Sequence, residues 1–566
     1  VEILKIKNLS FNYLNKEKKA ISNLNFSLKS SEFAVIMGES GAGKSTFLFT
    51  ICGIVPNFFA GNLEGNIYFL GKEITFKTPK ELAGEIGIVF QDFETQLFST
   101  SVELEISFLL SNLGFKKNEI KERVKYALEI VGLKNFDKRN PLTLSGGEKQ
   151  KLAIASVICC EPKLLLLDEP TTDLDPLGKE EIFRLAKILK EKNNTVILVE
   201  HETESINFAD RIILMKEGNF LKEGKPEEIV TEPDLLKNCG VRPLFHSLLF
   251  KELKIEEIPL NIEDAYLLLK ERFEIVKENY QKIVEEDLEK ENWNLPIIQV
   301  KNLSFSYQDK KEILKEINLE IKKGEFIAII GENGCGKTTL VKHFNRLLLP
   351  EKGEVIIKGI PTYKQKINEL AKIVGYVFQN PDHQIFANTV YEEISFAPRN
   401  SGIKEDEIKD RVREALEAVE LKGYEKEDPF SLTKGERQRI AVASVLAQRP
   451  EILIFDEPTT GLDYSQTLKM MELIKKLNKM GYTIIIITHS MWIVGEYAKR
   501  IILMKDGKIL LEGKPREVFK MREKLKEAKI SPPPSLQLSE KFGVSLLSIL
   551  EWKKVLRRKE WRSIFI

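Results

Sequence analysis

A glycine loop that occurs twice constrains this chain more than any other feature. Gly38-Glu-Ser40-Gly41-Ala-Gly43-Lys44-Ser45-Thr46 follows the apolar run Phe33-Ala-Val-Ile-Met37, and Gly331-Glu-Asn333-Gly334-Cys335-Gly336-Lys337-Thr338-Thr339 follows Phe326-Ile-Ala-Ile-Ile330. Both match G-x-x-x-x-G-K-[ST] in the context that pattern requires, a strand feeding a loop that opens a helix. The glycines let backbone N–H groups close around phosphate oxygens, and the helix N-terminus adds partial positive charge. Lys44 and Lys337 neutralise the outer phosphates, and the hydroxyls of Ser45 and Thr338 can hold Mg²⁺. The chain is expected to bind two nucleoside triphosphates.

At 566 residues the chain can hold two to four domains, and 43% hydrophobic with 30% charged residues is a globular composition. Its 86 basic and 85 acidic residues nearly cancel, so no global field argues for a nucleic-acid partner. No uninterrupted apolar run exceeds five residues, against the roughly 20 needed to cross a bilayer, and no basic-then-apolar leader is visible. Five cysteines without a CxxC pair fit a reducing compartment. Together these lead us to expect a cytoplasmic protein.

The loops belong to a longer repeat. Lys5-Ile-Lys-Asn-Leu-Ser-Phe-Asn-Tyr13 returns as Gln299-Val-Lys-Asn-Leu-Ser-Phe-Ser-Tyr307, and Gln91, Leu144, Asp168 and His201 reappear at one constant offset as Gln379, Leu432, Asp456 and His489. Within each half, short β-branched runs alternate with charged helical stretches, which predicts an α/β fold with a largely parallel sheet. We expect one nucleotide-binding domain over 1–230, an appendage and helical linker over 231–295, a second such domain over 296–520 and a further appendage over 521–566. The stretch from Glu263 to Lys290 reads as a solvated helix ahead of Trp293 and Pro296. Leu236-Lys-Asn-Cys-Gly-Val-Arg-Pro243 echoes Leu525-Lys-Glu-Ala-Lys-Ile-Ser-Pro532, so each half carries its own small appendage. The end of the chain, with Trp552, Trp561 and Phe565 among basic residues, reads as a docked or frayed tail rather than a membrane-surface helix.

Downstream of each loop comes a fixed series. It runs Gln91, Leu144-Ser145-Gly146-Gly147-Glu-Lys-Gln, Leu164-Leu-Leu-Leu-Asp168-Glu169-Pro, Thr172-Asp-Leu-Asp175 and His201 in the first half. In the second it runs Gln379, Leu432-Thr433-Lys434-Gly435-Glu-Arg-Gln, Ile452-Leu-Ile-Phe-Asp456-Glu457-Pro, Thr460-Gly-Leu-Asp463 and His489. Both halves therefore resemble nucleotide-binding domains of ATP-binding cassette (ABC) proteins, each with a helical subdomain. The resemblance implies ATP hydrolysis with Mg²⁺ near Ser45, Gln91 and Asp168, and near Thr338, Gln379 and Asp456. It makes Glu169 and Glu457 the general bases, His201 and His489 contacts of the γ-phosphate, and Tyr13 and Tyr307 adenine-stacking aromatics. Gln91 and Gln379 would touch the cation and the attacking water and report nucleotide state to a partner. Ser145, Gly146 and Gly147, and their counterparts Thr433 and Gly435, would reach the γ-phosphate held by the opposite half. The two halves would then pair within one chain, with no homodimer required.

A clamp of this kind needs a load. Val377-Phe-Gln379-Asn-Pro-Asp-His-Gln384-Ile-Phe386, and more loosely Val89-Phe-Gln91-Asp-Phe-Glu-Thr-Gln96-Leu-Phe98, resemble the ATPases of energy-coupling-factor importers of vitamins and cobalt or nickel ions. The resemblance implies a transmembrane coupling subunit and a substrate-binding membrane subunit as partners, with this chain on the inner face of the membrane. A tandem cassette acting on ribosomes, a sugar-importer ATPase and a drug-exporter motor are the alternatives. His201 and His489 are followed by Glu202-Thr and Ser490-Met rather than the Asp-Arg of the ribosomal group. Two finer expectations concern single residues. Cys335, at a helix N-terminus beside Lys337, should have a lowered thiol pKa and outreact Cys159 and Cys160. Lys434 and Thr433 replace smaller residues of the signature, so the two ATP sites should be unequal.

Overall fold

The computed structural model describes all residues except 15, 17, 173, 204–207, 289–295, 308–311 and 560–566. Trp293, Trp561 and Phe565 lie outside the described residues. Contacts group Val1–Ser247 with Asp463–Ser465 into one unit, and Leu248–Leu462 with Gln466–Ile566 into another.

In the first unit the phosphate-loop strand Phe33–Gly38 lies inside a six-stranded sheet ordered Asn219–Gly224, Arg211–Lys216, Phe33–Gly38, Val196–Val199, Leu164–Asp168, Ile86–Val89. Every pairing is parallel except that of the Asn219–Gly224 edge. A parallel sheet is covered on both faces, which is why these strands read as unbroken apolar runs: Phe33–Gly38 and Leu164–Asp168 are buried at every position. A four-stranded antiparallel sheet (Ile21–Lys29, Glu2–Tyr13, Gly61–Phe69, Lys72–Glu73) packs over one side, and there the buried residues alternate with exposed ones. The helices Val102–Asn112, Lys117–Ile130 and Gly146–Ile158 form a separate layer that contributes Ile106, Leu128 and Leu152 to the core.

The second unit repeats this plan. Its parallel sheet runs Val374–Val377, Ile452–Asp456, Thr483–Ile487, Phe326–Ile330, Arg500–Lys505, with Lys508–Gly513 antiparallel at the edge. Its antiparallel sheet is built on Pro296–Ser306, and its helical layer is Val390–Asn400, Glu405–Ala418 and Lys434–Leu446.

The segment between the halves departs from a single solvated helix. It forms two helices, Ile262–Arg272 and Lys277–Leu288, separated by the strand Phe273–Ile275, which pairs antiparallel with Leu556–Arg558 near the end of the chain. Phe273 is buried there. Trp552, in the helix Ile549–Val555, is fully buried and donates its indole N–H to Ser535 Oγ at 3.1 Å, so this part of the tail is docked. Arg516 joins these pieces: its buried guanidinium donates to Asp287 Oδ2, to Ser545 O and to Glu551 Oε1. A guanidinium can be buried because its N–H fork is met by carboxylates and a carbonyl. The echoed appendages also match. The helices Pro233–Asn238 and Arg522–Glu527 are each followed by a left-handed residue, Gly240 (φ 68°) and Lys529 (φ 52°).

Candidate active sites

Each phosphate loop turns through left-handed glycines: Gly41 and Gly43 have φ of 80° and 100°, and Gly334 and Gly336 have φ of 76° and 104°. At Gly43 a side chain would also collide with Ala20 O at 2.4 Å. The helices Lys44–Ile51 and Lys337–Phe344 begin at the next residue. Both lysines are buried and curl back over their own loops. Lys44 Nζ donates to Gly38 O and Glu39 O at 2.8 and 2.9 Å, and Lys337 Nζ to Gly331 O and Glu332 O, both at 2.8 Å. Burial lowers the Lys44 pKa while the Glu169 charge, 3.7 Å away, opposes that shift.

At the C-terminal ends of Leu164–Asp168 and Ile452–Asp456, each one strand removed from the phosphate-loop strand of its sheet, stand Asp168 and Asp456, with Glu169 and Glu457 one residue on, both in the left-handed region at φ 46° and 48°. A glutamate held there in both halves, buried at Glu169 and half-buried at Glu457, is backbone strain of the kind found at functional sites. Around Glu169, Gln91 Nε2 donates to its Oε2 at 2.7 Å, His201 Nε2 lies 2.5 Å from its Oε1, and Thr172 Oγ1 donates to its Oε2 at 3.4 Å. Glu457 accepts from Thr460 Oγ1 at 3.1 Å. His489 Nε2 is 2.9 Å from Glu457 Oε1 but off the line of a hydrogen bond. Burial pushes Glu457 upward, yet His489 and Lys337 outweigh it and leave the pKa lowered. Gln379 is exposed, unlike the half-buried Gln91.

The two aspartates differ. Asp168 is 2% exposed, and its Oδ1 has no hydrogen-bond partner. Burial first, and then the neighbouring Glu169 charge, push its pKa up to about 7, against a hydrogen bond from Ser45. Asp456 is also raised by burial, but its Oδ2 accepts from Tyr376 OH at 2.6 Å and from Thr338 Oγ1 at 2.9 Å. An orphaned carboxylate oxygen beside a loop hydroxyl suits a hard divalent cation, which prefers oxygen donors and takes few from protein. Among the described residues no cluster of three or more His, Cys, Asp or Glu side chains could hold a metal by itself. Ser45 with Asp168 and Thr338 with Asp456 are the protein oxygens that would fit an Mg²⁺ shared with nucleotide phosphates.

Tyr13 and Tyr307 stand at the phosphate-loop helices, their hydroxyls 3.0 and 3.4 Å from Thr46 Oγ1 and Thr339 Oγ1. The signatures open helices: Ser145 and Thr433 are N-caps in capping boxes with Glu148 and Glu436. They are not equivalent, because Thr433 Oγ1 donates to Glu436 Oε2 at 2.7 Å. Lys434 lies against the turn of its own half: a Cβ placed on Gly461 would stand 2.3 Å from Lys434 Nζ.

Cys335 corrects the sequence expectation. It is 5% exposed, and burial raises its pKa more than Lys337 and the loop N–H lower it. Cys160, half-buried, is the cysteine whose pKa is lowered, by the hydrogen bond with Cys159 at 3.9 Å. Sequence reasoning also missed Tyr376, which no motif marks, and the two buried carboxylates Glu105 and Glu393. Glu105 Oε2 accepts from the N–H groups of Phe98 and Ser99 at 3.1 and 2.7 Å. Glu393 Oε2 does the same for Phe386 and Ala387, both at 3.0 Å.

A glycine loop with an inward lysine, a strand-end Asp-Glu pair and a histidine facing the glutamate, present in both halves, together define a tandem P-loop ATPase. The chain belongs to the ABC transporter family, whose model matches residues 21–172 and 314–460. It is 49% identical over 560 residues to a provisionally named ABC transporter ATP-binding protein of Caldanaerobacter subterraneus subsp. tengcongensis, covering 98% of each chain. A similarly named protein of Methanosarcina acetivorans is 39% identical, over 98% of this chain and 94% of that one. Among solved structures, cbiO1 from Clostridium perfringens, part of the ABC transporter complex cbiONQ, is 40% identical. It aligns with 41% of this chain and 94% of its own at a TM-score of 0.38.

Proposed function

We propose that this ATPase is the motor of an energy-coupling-factor type importer, with a transmembrane coupling subunit and a substrate-binding membrane subunit as its partners. The observation that carries the reading is a displayed aromatic pair just downstream of each Gln91-type residue. Phe98 and Phe108 meet edge to face at 4.7 Å while 63% and 49% exposed, and Phe386 and Phe396 repeat this at 4.7 Å with 58% and 46% exposure. In the first half the pair borders an apolar groove of about 590 Å³, lined also by Phe49, Phe59, Phe90 and Leu109. Exposed apolar surface of this kind, beside a segment that touches the catalytic glutamate, suits a partner's apolar helix. Gln96 and Gln384 brace the segment by accepting from Phe90 N and Phe378 N, each at 3.2 Å.

In this reading residues 1–230 and 296–520 are the two motor domains, and 231–295 with 521–566 are their appendages. Glu169 and Glu457 orient the attacking water, and His201 and His489 hold the glutamate and γ-phosphate geometry. Lys44 and Lys337 move from their own carbonyls to the phosphates. Tyr13 and Tyr307 stack on adenine, and each signature completes the site of the other half. Mg²⁺, when bound, neutralises charge on the β- and γ-phosphates.

The test is purification from solubilised membranes. Membrane subunits should accompany the chain and be lost with Phe98→Ala plus Phe386→Ala, while ATP binding persists. Recovery with ribosomes in the pellet, and no membrane partner, would replace this reading with the ribosomal one.

A further inference from the structure

The two cation sites differ by one buried hydroxyl. Tyr376 lies on the strand Val374–Val377 beside the strand that ends in Asp456, at the register Tyr376 to Ile454. From there it reaches along the sheet to donate to Asp456 Oδ2 at 2.6 Å. Its ring is held edge-on to Phe378 at 4.9 Å, and the residue is 8% exposed, so the hydroxyl has little freedom to turn away. Thr338 Oγ1 donates to the same carboxylate at 2.9 Å to Oδ2 and 3.2 Å to Oδ1. At the matching register of the first half, Ile88 to Leu166, stands an isoleucine that can donate nothing, and there Asp168 Oδ1 is left without a partner.

We propose that Tyr376 is a positioning residue for the divalent cation at the second phosphate loop. Its hydroxyl fixes the Asp456 carboxylate, so that the second site takes a cation–nucleotide pair more tightly than the first. The proposal rests on the ATPase assignment and on the Thr338–Asp456 oxygen pair, and is independent of which membrane partner the motor drives. The reason is orientational. A carboxylate free to rotate loses entropy and donor geometry when it meets a cation's inner or water shell, whereas one pinned by a buried hydroxyl has already taken its orientation. Removing such a supporting hydrogen bond typically costs about 10- to 100-fold in metal affinity. Two halves built on one plan therefore differ in how well each is prepared for the cation.

The probe is Mn²⁺, titrated into the full-length chain with saturating ADP and read by the electron paramagnetic resonance of the free ion. The parent should show a tight and a weak class of site, and Thr338→Ala should remove the tight one. Tyr376→Phe, which keeps the ring, should weaken the tight class by about tenfold or more. It should leave ADP affinity in EDTA and the melting temperature close to the parent's. Ile88→Tyr is the reciprocal test. Ile88 borders the open apolar groove, which leaves room for a ring, and a hydroxyl there should tighten the weak class. The proposal is overturned if Tyr376→Phe leaves both classes unchanged. It is equally overturned if ADP binding in EDTA falls as far as Mn²⁺ binding does, since the tyrosine would then serve the fold rather than the cation.

Discussion

The side chains of the two sites are under opposing demands, and Asp168 shows them best. Its carboxyl is buried beside Glu169 and titrates near pH 7 instead of the usual carboxylate range. In the metal-free chain the folded state therefore keeps a proton that the unfolded state has released, and stability falls as pH rises from about 4 to about 7. Above that the penalty is complete, up to about 4 kcal/mol by linkage. Asp168→Asn removes it, so in EDTA the variant should melt above the parent at pH 8 and close to it at pH 4, while losing cation-dependent nucleotide binding. A difference in melting temperature that does not change with pH would show that Asp168 is ionised throughout.

The cysteines give a second test of burial against charge. Cys160 is half-buried with a lowered pKa, whereas Cys335 is buried with a raised one. Alkylation at pH 7 should reach Cys160 at least about tenfold faster, since the thiolate is the nucleophile. Mass spectrometry that finds Cys335 labelled first would reverse this order. Both residues stand in plain view in the sequence, but Cys335 has a cationic neighbour there, and only the packing of Gly331 against it, its Sγ 2.8 Å from where a Gly331 Cβ would stand, reveals how little solvent it meets.

Secondary structure elements were legible to different depths. The buried strands Phe33–Gly38 and Ile452–Asp456 announce themselves as apolar runs. The short strand Phe273–Ile275 did not, because three residues of a charged stretch carry no pattern, and their partner lies at the far end of the chain. The same holds for the tail. Trp552 reads as one aromatic among basic residues, yet it fills the core of the C-terminal appendage with Phe542, whose ring meets it edge-on at 5.8 Å. Trp552→Ala should cost about 3–5 kcal/mol and melt the C-terminal element before the rest. Hydrogen exchange that stays slow over Pro534–Glu540 in the variant would show that the tail is only loosely docked.

For the complete chain the tandem arrangement predicts unequal motors. On the composite reading, the signature of the second half, with Lys434 and Thr433, serves the site of Lys44, Asp168, Glu169 and His201. Its threonine hydroxyl is already donated to Glu436, and its lysine is turned toward Gly461. On the same reading the site of Lys337, Asp456 and Glu457 would be served by Ser145, Gly146 and Gly147, and its aspartate accepts from Tyr376. Glu457→Gln should therefore abolish most ATP hydrolysis, whereas Glu169→Gln should keep a substantial fraction. Each roughly 1.4 kcal/mol of transition-state interaction lost lowers turnover about tenfold. Equal losses in the two variants, measured on the full-length chain together with any membrane subunits that copurify, would show that neither the signature nor Tyr376 distinguishes the sites.

The division between sequence and tertiary structure follows from how far each kind of information reaches along the chain. Glycines that must turn left-handed, a lysine at the first residue of a helix, and an Asp-Glu pair ending an apolar strand are short-range requirements of backbone geometry and phosphate chemistry. Being short-range, they are written in contiguous residues, and the duplication writes them twice. Which groups lose water, and which hydroxyl meets which carboxylate, depends on residues brought together from distant positions. Tyr376 and Asp456 are 80 positions apart and Phe273 and Arg558 further still, and only the fold places them within bonding distance.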